Sequence, residues 1–366
     1  MNTIVSSPLY LFLAIACAFC ISVTLTPIVR VLAFRFKVTD VPKDNRRMHK
    51  KEMPLMGGLA IFAAFVIGAL VFCEADIKII GFLLGATLIT VTGIIDDKYD
   101  MKAIVKLILQ LAASVIAVLS GLEIETINLF GRYIEFGEWA GVVTVIWIVL
   151  LTNAINLIDG LDGLSCGVST ISCFTLLISL FFHPDTSFYV IVLIGILAGS
   201  CLGFLPFNFN PAKIFMGDTG SMFLGYAMSV LSILGCFKLN ALVSFWVPFL
   251  VFALPLMDTA FAFIRRILTG RSPFSADRGH VHHRLIDRGF DQRHSVMILY
   301  AVSGISGISA ILISLDKYFG GLAMLVIALA ILILNLTLVS EDRIRHQQEK
   351  AARAAAAQAE NKEEQK

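Results

Sequence analysis

Charge is scarce in this chain. Asp, Glu, Lys and Arg make up 15% of its 366 residues, against about 25% in an ordinary soluble domain. Apolar residues fill the gap, at 57% of the chain with a mean hydropathy of +0.84. That balance excludes a soluble globular domain and a disordered chain alike. The seven cysteines are odd in number and lie almost wholly in apolar stretches, which excludes a disulfide-stapled secreted scaffold. Cys17 and Cys20 form a C-x-x-C, but no second Cys pair or His lies near it, and both read as small packing residues. No Lys or Arg precedes Arg30, so no cleavable signal peptide is expected. Neither a G-x-x-x-x-G-K-[ST] nor an H-E-x-x-H occurs, so a Walker A loop and a zincin site are absent too. The net charge of +2 says little until the charges are placed, and no nucleic-acid partner is expected.

A transmembrane helix needs roughly 20 mostly apolar residues. Such segments run near 9–32, 55–73, 77–95, 107–120, 140–158, 164–182, 188–207, 215–235, 242–263, 296–314 and 319–338. Their continuous apolarity predicts helices rather than alternating barrel strands. The expected fold is an all-α polytopic membrane protein of about 11 transmembrane helices, with one catalytic domain over 1–340 and a polar cytoplasmic tail over 341–366. Alternating the connections between two faces puts 25 Lys and Arg on one face. The other has four: Lys78, Arg132, Lys238 and Lys317. The positive-inside rule makes the first face cytoplasmic, with the N-terminus out and the C-terminus in. On the outer face, alternation between Leu122 and Phe136 around Phe130-Gly131-Arg132 predicts a small β-hairpin.

Carboxylates are costly at membrane depth, and here they cluster. Asp96 and Asp97 close the third segment, where the helix dipole disfavours anions, so they call for a metal or a cationic partner. Asn153, Asn156, Asp159 and Asp162 recur every three residues and share a helix face. Gly217-Asp218-Thr219-Gly220-Ser221 offers one hard oxygen ligand, two hydroxyls and flexible backbone amides, a set suited to Mg²⁺ bridging phosphates. His280, His282 and His283 sit beside Arg278 and Arg284. A zinc site is one reading of them, and contact with an anion fits better because no Cys lies nearby. Lys50 and Lys51 belong to a basic run that reads equally as a topology signal, a grip on anionic headgroups or a contact to a substrate phosphate. All these clusters fall on the cytoplasmic face, whereas a transporter or lipid flippase would place its polar residues near the midplane.

With these residues laid out, the chain resembles the polyprenyl-phosphate N-acetylhexosamine-1-phosphate transferases over about residues 40–295. The resemblance is carried by Pro54-Leu55-Met56-Gly57-Gly58, Asp96-Asp97, Asn153 to Gly163, Phe215 to Ser221, Pro255-Leu256-Met257-Asp258 and Ser272 to His283. It implies a bacterial plasma-membrane enzyme with its active site facing the cytoplasm. The enzyme would transfer GlcNAc-1-phosphate from UDP-GlcNAc to undecaprenyl phosphate and release UMP. The lipid-linked sugar would prime a cell-envelope glycan such as teichoic acid or O antigen. Mg²⁺ would be required, with Mn²⁺ able to take its place, and a homodimer is one available assembly.

By the same resemblance Asp218 is the principal metal ligand and Asn153 the second. Asp96 and Asp97 sit by the lipid phosphate, one acting on it. Asn156, Asp159, Asp162, Asn208 and Phe215 line the uridine pocket, touched by Lys50 or Lys51. His280, His282 and His283, with Arg278 among them, hold the diphosphate or the sugar. A second branch of the family takes UDP-MurNAc-pentapeptide. It carries three consecutive histidines, where Val281 interrupts the run here, so the GlcNAc branch is expected.

Overall fold

The computed structural model describes residues 7–41, 52–129, 132–183, 186–237, 243–270 and 279–337. Lys50, Lys51, Arg278 and the tail 341–366 lie outside the described residues, so the readings placed on them rest on sequence alone. The helices are α1 (Pro8–Arg35), α2 (Gly58–Phe72), α3 (Ile77–Tyr99), α4 (Ala103–Leu119), α5 (Ala140–Ile158), α6 (Leu164–Phe181) and α7 (Phe188–Asn208). Then come α8 (Gly217–Gly235), α9 (Val243–Val251), α10 (Ala253–Leu268), α11 (Val281–Asp287), α12 (Gln292–Ser314) and α13 (Tyr318–Thr337).

Local chemistry sets several of these boundaries. Ser7 caps α1 ahead of Pro8, and Asp76 accepts from Ile79 N at 2.7 Å to start α3. Each apolar segment read from the sequence falls on a helix, and the ninth falls on two. Its break lies at Phe252, where Pro255 has no N–H and its ring crowds the carbonyl of Val251. Among the described residues seven helices are long and apolar enough to cross a membrane: α1, α3, α5 with its 3₁₀ lead from Gly137, α6, α7, α12 and most of α13. α2 and α4 are apolar but shorter. The chain is therefore a mostly helical, multi-pass membrane protein.

Strand structure among the described residues is confined to two small antiparallel pairs. Thr39–Asp40 (β1) pairs with Met53–Pro54 (β2). Thr126–Leu129 (β3) pairs with Arg132–Glu135 (β4), with Thr126 opposite Glu135 and Leu129 opposite Arg132. The second pair is the hairpin expected from alternation.

α8 is the central helix, packed against α2, α3, α5, α6 and α7 and buried from Thr219 to Gly235. It is rich in Gly and Ser, the residues that let helices approach closely in a membrane. Gly220 lies so close to Gly58 that a Cβ on Gly58 would collide with the Gly220 backbone. Surrounded by protein rather than lipid, α8 does not need the apolar exterior of a peripheral helix. The bundle's outer surface is apolar by contrast, with Phe12 and Val31 of α1 and Leu322 and Val326 of α13 exposed.

Candidate active site

The polar residues converge where the last turn of α3, the first turn of α4, the end of α5 and the start of α8 meet. The pivot is Asp97. Its Oδ1 accepts from Asp218 N at 2.7 Å, and its Oδ2 accepts from Thr219 N at 3.1 Å and Thr219 Oγ1 at 2.6 Å. Met216, the residue before α8, supplies no side-chain cap, so a carboxylate from another helix takes that role at the positive end of the α8 dipole. Both oxygens of Asp97 are thereby committed to holding Asp218 in position.

Asp96 is buried and faces a different set of partners. Its Oδ1 accepts from Met101 N at 2.7 Å, and its Oδ2 is ion-paired with Lys106. The same ammonium lies 3.0 Å from Asp218 Oδ2, so one cation bridges two carboxylates. Lys106 is therefore a cationic partner of Asp96, while Asp97 is met by backbone N–H groups and the Thr219 hydroxyl. Sequence reading passed over Lys106 because a Lys at the edge of an apolar segment reads as a topology signal.

The α5 residues divide. Asn156 donates to Asp218 Oδ1 at 3.0 Å and to Ser221 Oγ at 2.8 Å. Asn153 instead donates to Gln110 Oε1 at 2.7 Å and to Val149 O at 2.8 Å. Asn156, expected in the uridine pocket, is thus the Asn that touches Asp218, and the expected second metal ligand is paired with Gln110. Asp159 ends α5, and burial followed by the charges of Asp218, Asp97 and Asp162 raises its carboxyl well above the usual range.

Three further residues of the expected uridine pocket lie on or against the loop that enters α8. Asn208 is buried, accepting from Gly163 N at 3.1 Å and donating to Ile214 O at 3.1 Å. Gly163 has φ +77°, a conformation that favours glycine. Asp162 Oδ2 accepts from Asn210 Nδ2 and Ala212 N, both at 3.0 Å. The backbone of Phe215 is fixed from both sides, with its O accepting from Gly57 N and its N donating to Pro54 O, each at 2.9 Å. The Pro54–Gly58 motif thus docks directly on the loop that carries Asp218.

The histidine run adjoins this cluster through Gly160, where a Cβ would strike the His282 ring. His282 is 2% exposed, and among the described residues its Nε2 has no hydrogen-bond partner. Burial and then the neighbouring His283 push its pKa down to about 3. Its ring stacks on His280 with centroids 5.8 Å and planes 7° apart, and lies 4.2 Å from the His283 ring.

Among the described residues Asp96, Asp97 and Asp218 share a single lysine here, an anionic excess that suits a divalent cation. Among the described residues no three His, Cys, Asp or Glu side chains form a ready metal cage. Mg²⁺ takes one or two carboxylates and completes its shell with water and substrate oxygens, and Asp218 beside Asn156 is a donor set of that kind.

Fold and site define a multi-pass helical membrane protein with one acidic, lysine-bridged centre at the ends of its helices. The glycosyl transferase family 4 pattern matches residues 79–236. A Bacillus subtilis (strain 168) protein named "Probable undecaprenyl-phosphate N-acetylglucosaminyl 1-phosphate transferase" is 44% identical over 293 residues, covering 79% of this chain and 81% of that one. A "Decaprenyl-phosphate N-acetylglucosaminephosphotransferase" of Mycolicibacterium smegmatis (strain ATCC 700084 / mc(2)155) is 34% identical, covering 77% of each chain. An "Undecaprenyl-phosphate alpha-N-acetylglucosaminyl 1-phosphate transferase" of Thermotoga maritima is 31% identical, covering 77% of this chain and 84% of that one. The chain belongs to glycosyl transferase family 4.

Proposed function

We propose that this protein transfers GlcNAc-1-phosphate from UDP-GlcNAc to undecaprenyl phosphate in a bacterial plasma membrane, giving undecaprenyl-diphosphate-GlcNAc and UMP. The observation that carries the reading is the Lys106 ammonium shared by Asp96 and Asp218 at the start of α8, in a chain whose relatives are named for this transfer. The chain crosses the membrane eleven times, α9 and α10 making one broken crossing. Its N-terminus is outside and its site faces the cytoplasm, supported by the 25-to-4 distribution of Lys and Arg.

The difficulty of the reaction is electrostatic, since an anionic phosphate must attack a diphosphate. A phosphate monoester has a second pKa of about 6, so the lipid phosphate is already largely dianionic at neutral pH. One of its oxygens attacks the β-phosphorus in line, and the bond from that phosphorus to the bridging oxygen breaks as UMP departs. Lys106 offsets charge at the reacting phosphates. Asp96, with Lys106 as its counter-ion, orients the lipid phosphate, while Asp97 holds Asp218 and the α8 terminus still. Asp218, with the amide oxygen of Asn156 or Asn153, would hold Mg²⁺. The bound ion would neutralise charge on the diphosphate as UMP leaves.

Purified protein in detergent, given undecaprenyl phosphate and Mg²⁺, should release UMP from UDP-GlcNAc and not from UDP-MurNAc-pentapeptide. Turnover with the pentapeptide alone would assign the protein to the peptidoglycan branch. Silence with both donors would overturn the proposal.

A further inference from the structure

Asp258 is a buried carboxylate that the proposed transfer does not use. It lies on α10, 3% exposed, beside a small cavity lined mostly by apolar side chains such as Leu254, Met257, Phe261 and Val302. An ionisable side chain at membrane depth needs a partner and generally marks function. Among the described residues both partners of Asp258 belong to the histidine run. Oδ2 lies 2.8 Å from His280 Nδ1, and Oδ1 accepts from Val281 N at 2.8 Å. Two turns further along α10, Arg265 donates to Gly279 O at 3.0 Å. The second half of the broken helix therefore grips the turn ahead of α11 at both ends.

We propose that Asp258 is the positioning residue of the histidine run, holding His280 with its proton on Nδ1 and its Nε2 presented to the bound nucleotide sugar. An ionised carboxylate only accepts hydrogen bonds, so the shared hydrogen must be carried by Nδ1. The bond made by one imidazole nitrogen decides the state of the other, and Nε2 is left as the atom that meets a ligand. Stacking passes the constraint onward, because the His282 ring lies 7° from parallel to that of His280. The broken helix explains the arrangement: the restart of α10 after Phe252 brings Asp258 beneath His280, a pairing of residues 22 apart in sequence.

A merely structural carboxylate would cap Val281 N and have no effect on the imidazole. Asp258→Asn separates the two roles. Its amide oxygen can still accept from Val281 N, but the amide nitrogen then faces His280 Nδ1 and forces the proton to Nε2.

In protein labelled with ¹⁵N-histidine, the wild type should show, besides His294 against Asp291, an imidazole with its proton on Nδ1, hydrogen-bonded, that disappears in His280→Gln and moves to Nε2 in Asp258→Asn. A His280 proton on Nε2 in the wild type overturns the proposal without need of any Asp258 variant. So does a signal unchanged by Asp258→Asn. This arm does not depend on the reaction.

The kinetic arm rests on the proposed transfer. Asp258→Asn and His280→Gln should each lower kcat/KM for UDP-GlcNAc about 10–100-fold, the usual consequence of losing an orienting partner. The double variant should be no worse than the poorer single one, and Asp258→Glu should recover part of the loss. Losses that multiply would show that Asp258 acts apart from His280 and overturn the proposal.

Discussion

Asp97 and Asp218 are joined through the main chain: the carboxylate of one accepts the backbone N–H of the other at 2.7 Å. The first therefore builds the site around the second, and the two substitutions should separate in measurement. Asp97→Ala leaves the N–H groups of Asp218 and Thr219 and the Thr219 hydroxyl without their acceptor, a loss of about 1–3 kcal/mol. It should lower the melting temperature in detergent and also reduce turnover. Asp218→Ala should abolish turnover and leave the melting temperature nearly unchanged. Equal melting temperatures for the two variants would contradict this division.

Lys106 is the positive charge shared by Asp96 and Asp218. In Lys106→Gln both carboxylates lose their counter-ion, so divalent cations should bind more tightly while turnover falls. A magnesium titration of the thermal transition checks this, and the variant should gain more stability from the ion than the wild type does. An equal gain would show that Lys106 and the cation do not address the same carboxylates.

Asn208 spends its oxygen on Gly163 N and its amino group on Ile214 O. Asn208→Ala should therefore destabilise the protein by about 1–3 kcal/mol, the cost of leaving buried backbone groups unpaired. Thermal unfolding measures it. A variant of wild-type stability with a raised KM for UDP-GlcNAc would return Asn208 to direct contact with the nucleotide.

His282 is held neutral, its pKa pushed down to about 3 from about 6.5 in the unfolded chain. The unfolded state therefore binds the extra proton first, and stability is lost as pH falls below 6.5. At pH 5 this group alone should remove about 2 kcal/mol relative to pH 8, at 1.36 kcal/mol for each pH unit. Comparing melting at pH 5 and pH 8, the wild type should lose more stability than His282→Gln. Identical losses would place the imidazole in contact with water.

The helices were legible because lipid and protein interior alike select continuous apolar runs. The interruption of the ninth segment was missed, although Pro255 carried the signal. Asp96, Asp97 and Asp218 stood out because an apolar chain makes each carboxylate conspicuous. Lys106 did not, since a lysine at a helix edge serves topology as readily as chemistry. Asn153 and Asn208 show a different gap: an amide in a motif looks the same whether it meets Gln110, the backbone or a ligand. The bond from Asp258 runs from α10 to the residue before α11, 22 positions on, and no local period could have announced it.

The most direct test follows the phosphorus. UDP-GlcNAc labelled at the β-phosphate should pass its label into the lipid fraction when undecaprenyl phosphate and Mg²⁺ are present. One UMP should appear for each labelled lipid, none without the lipid, and Asp218→Ala should transfer nothing. Stoichiometric UMP release before any lipid is added would contradict direct attack by the lipid phosphate. Label reaching the lipid in Asp218→Ala as fast as in the wild type would contradict the site itself.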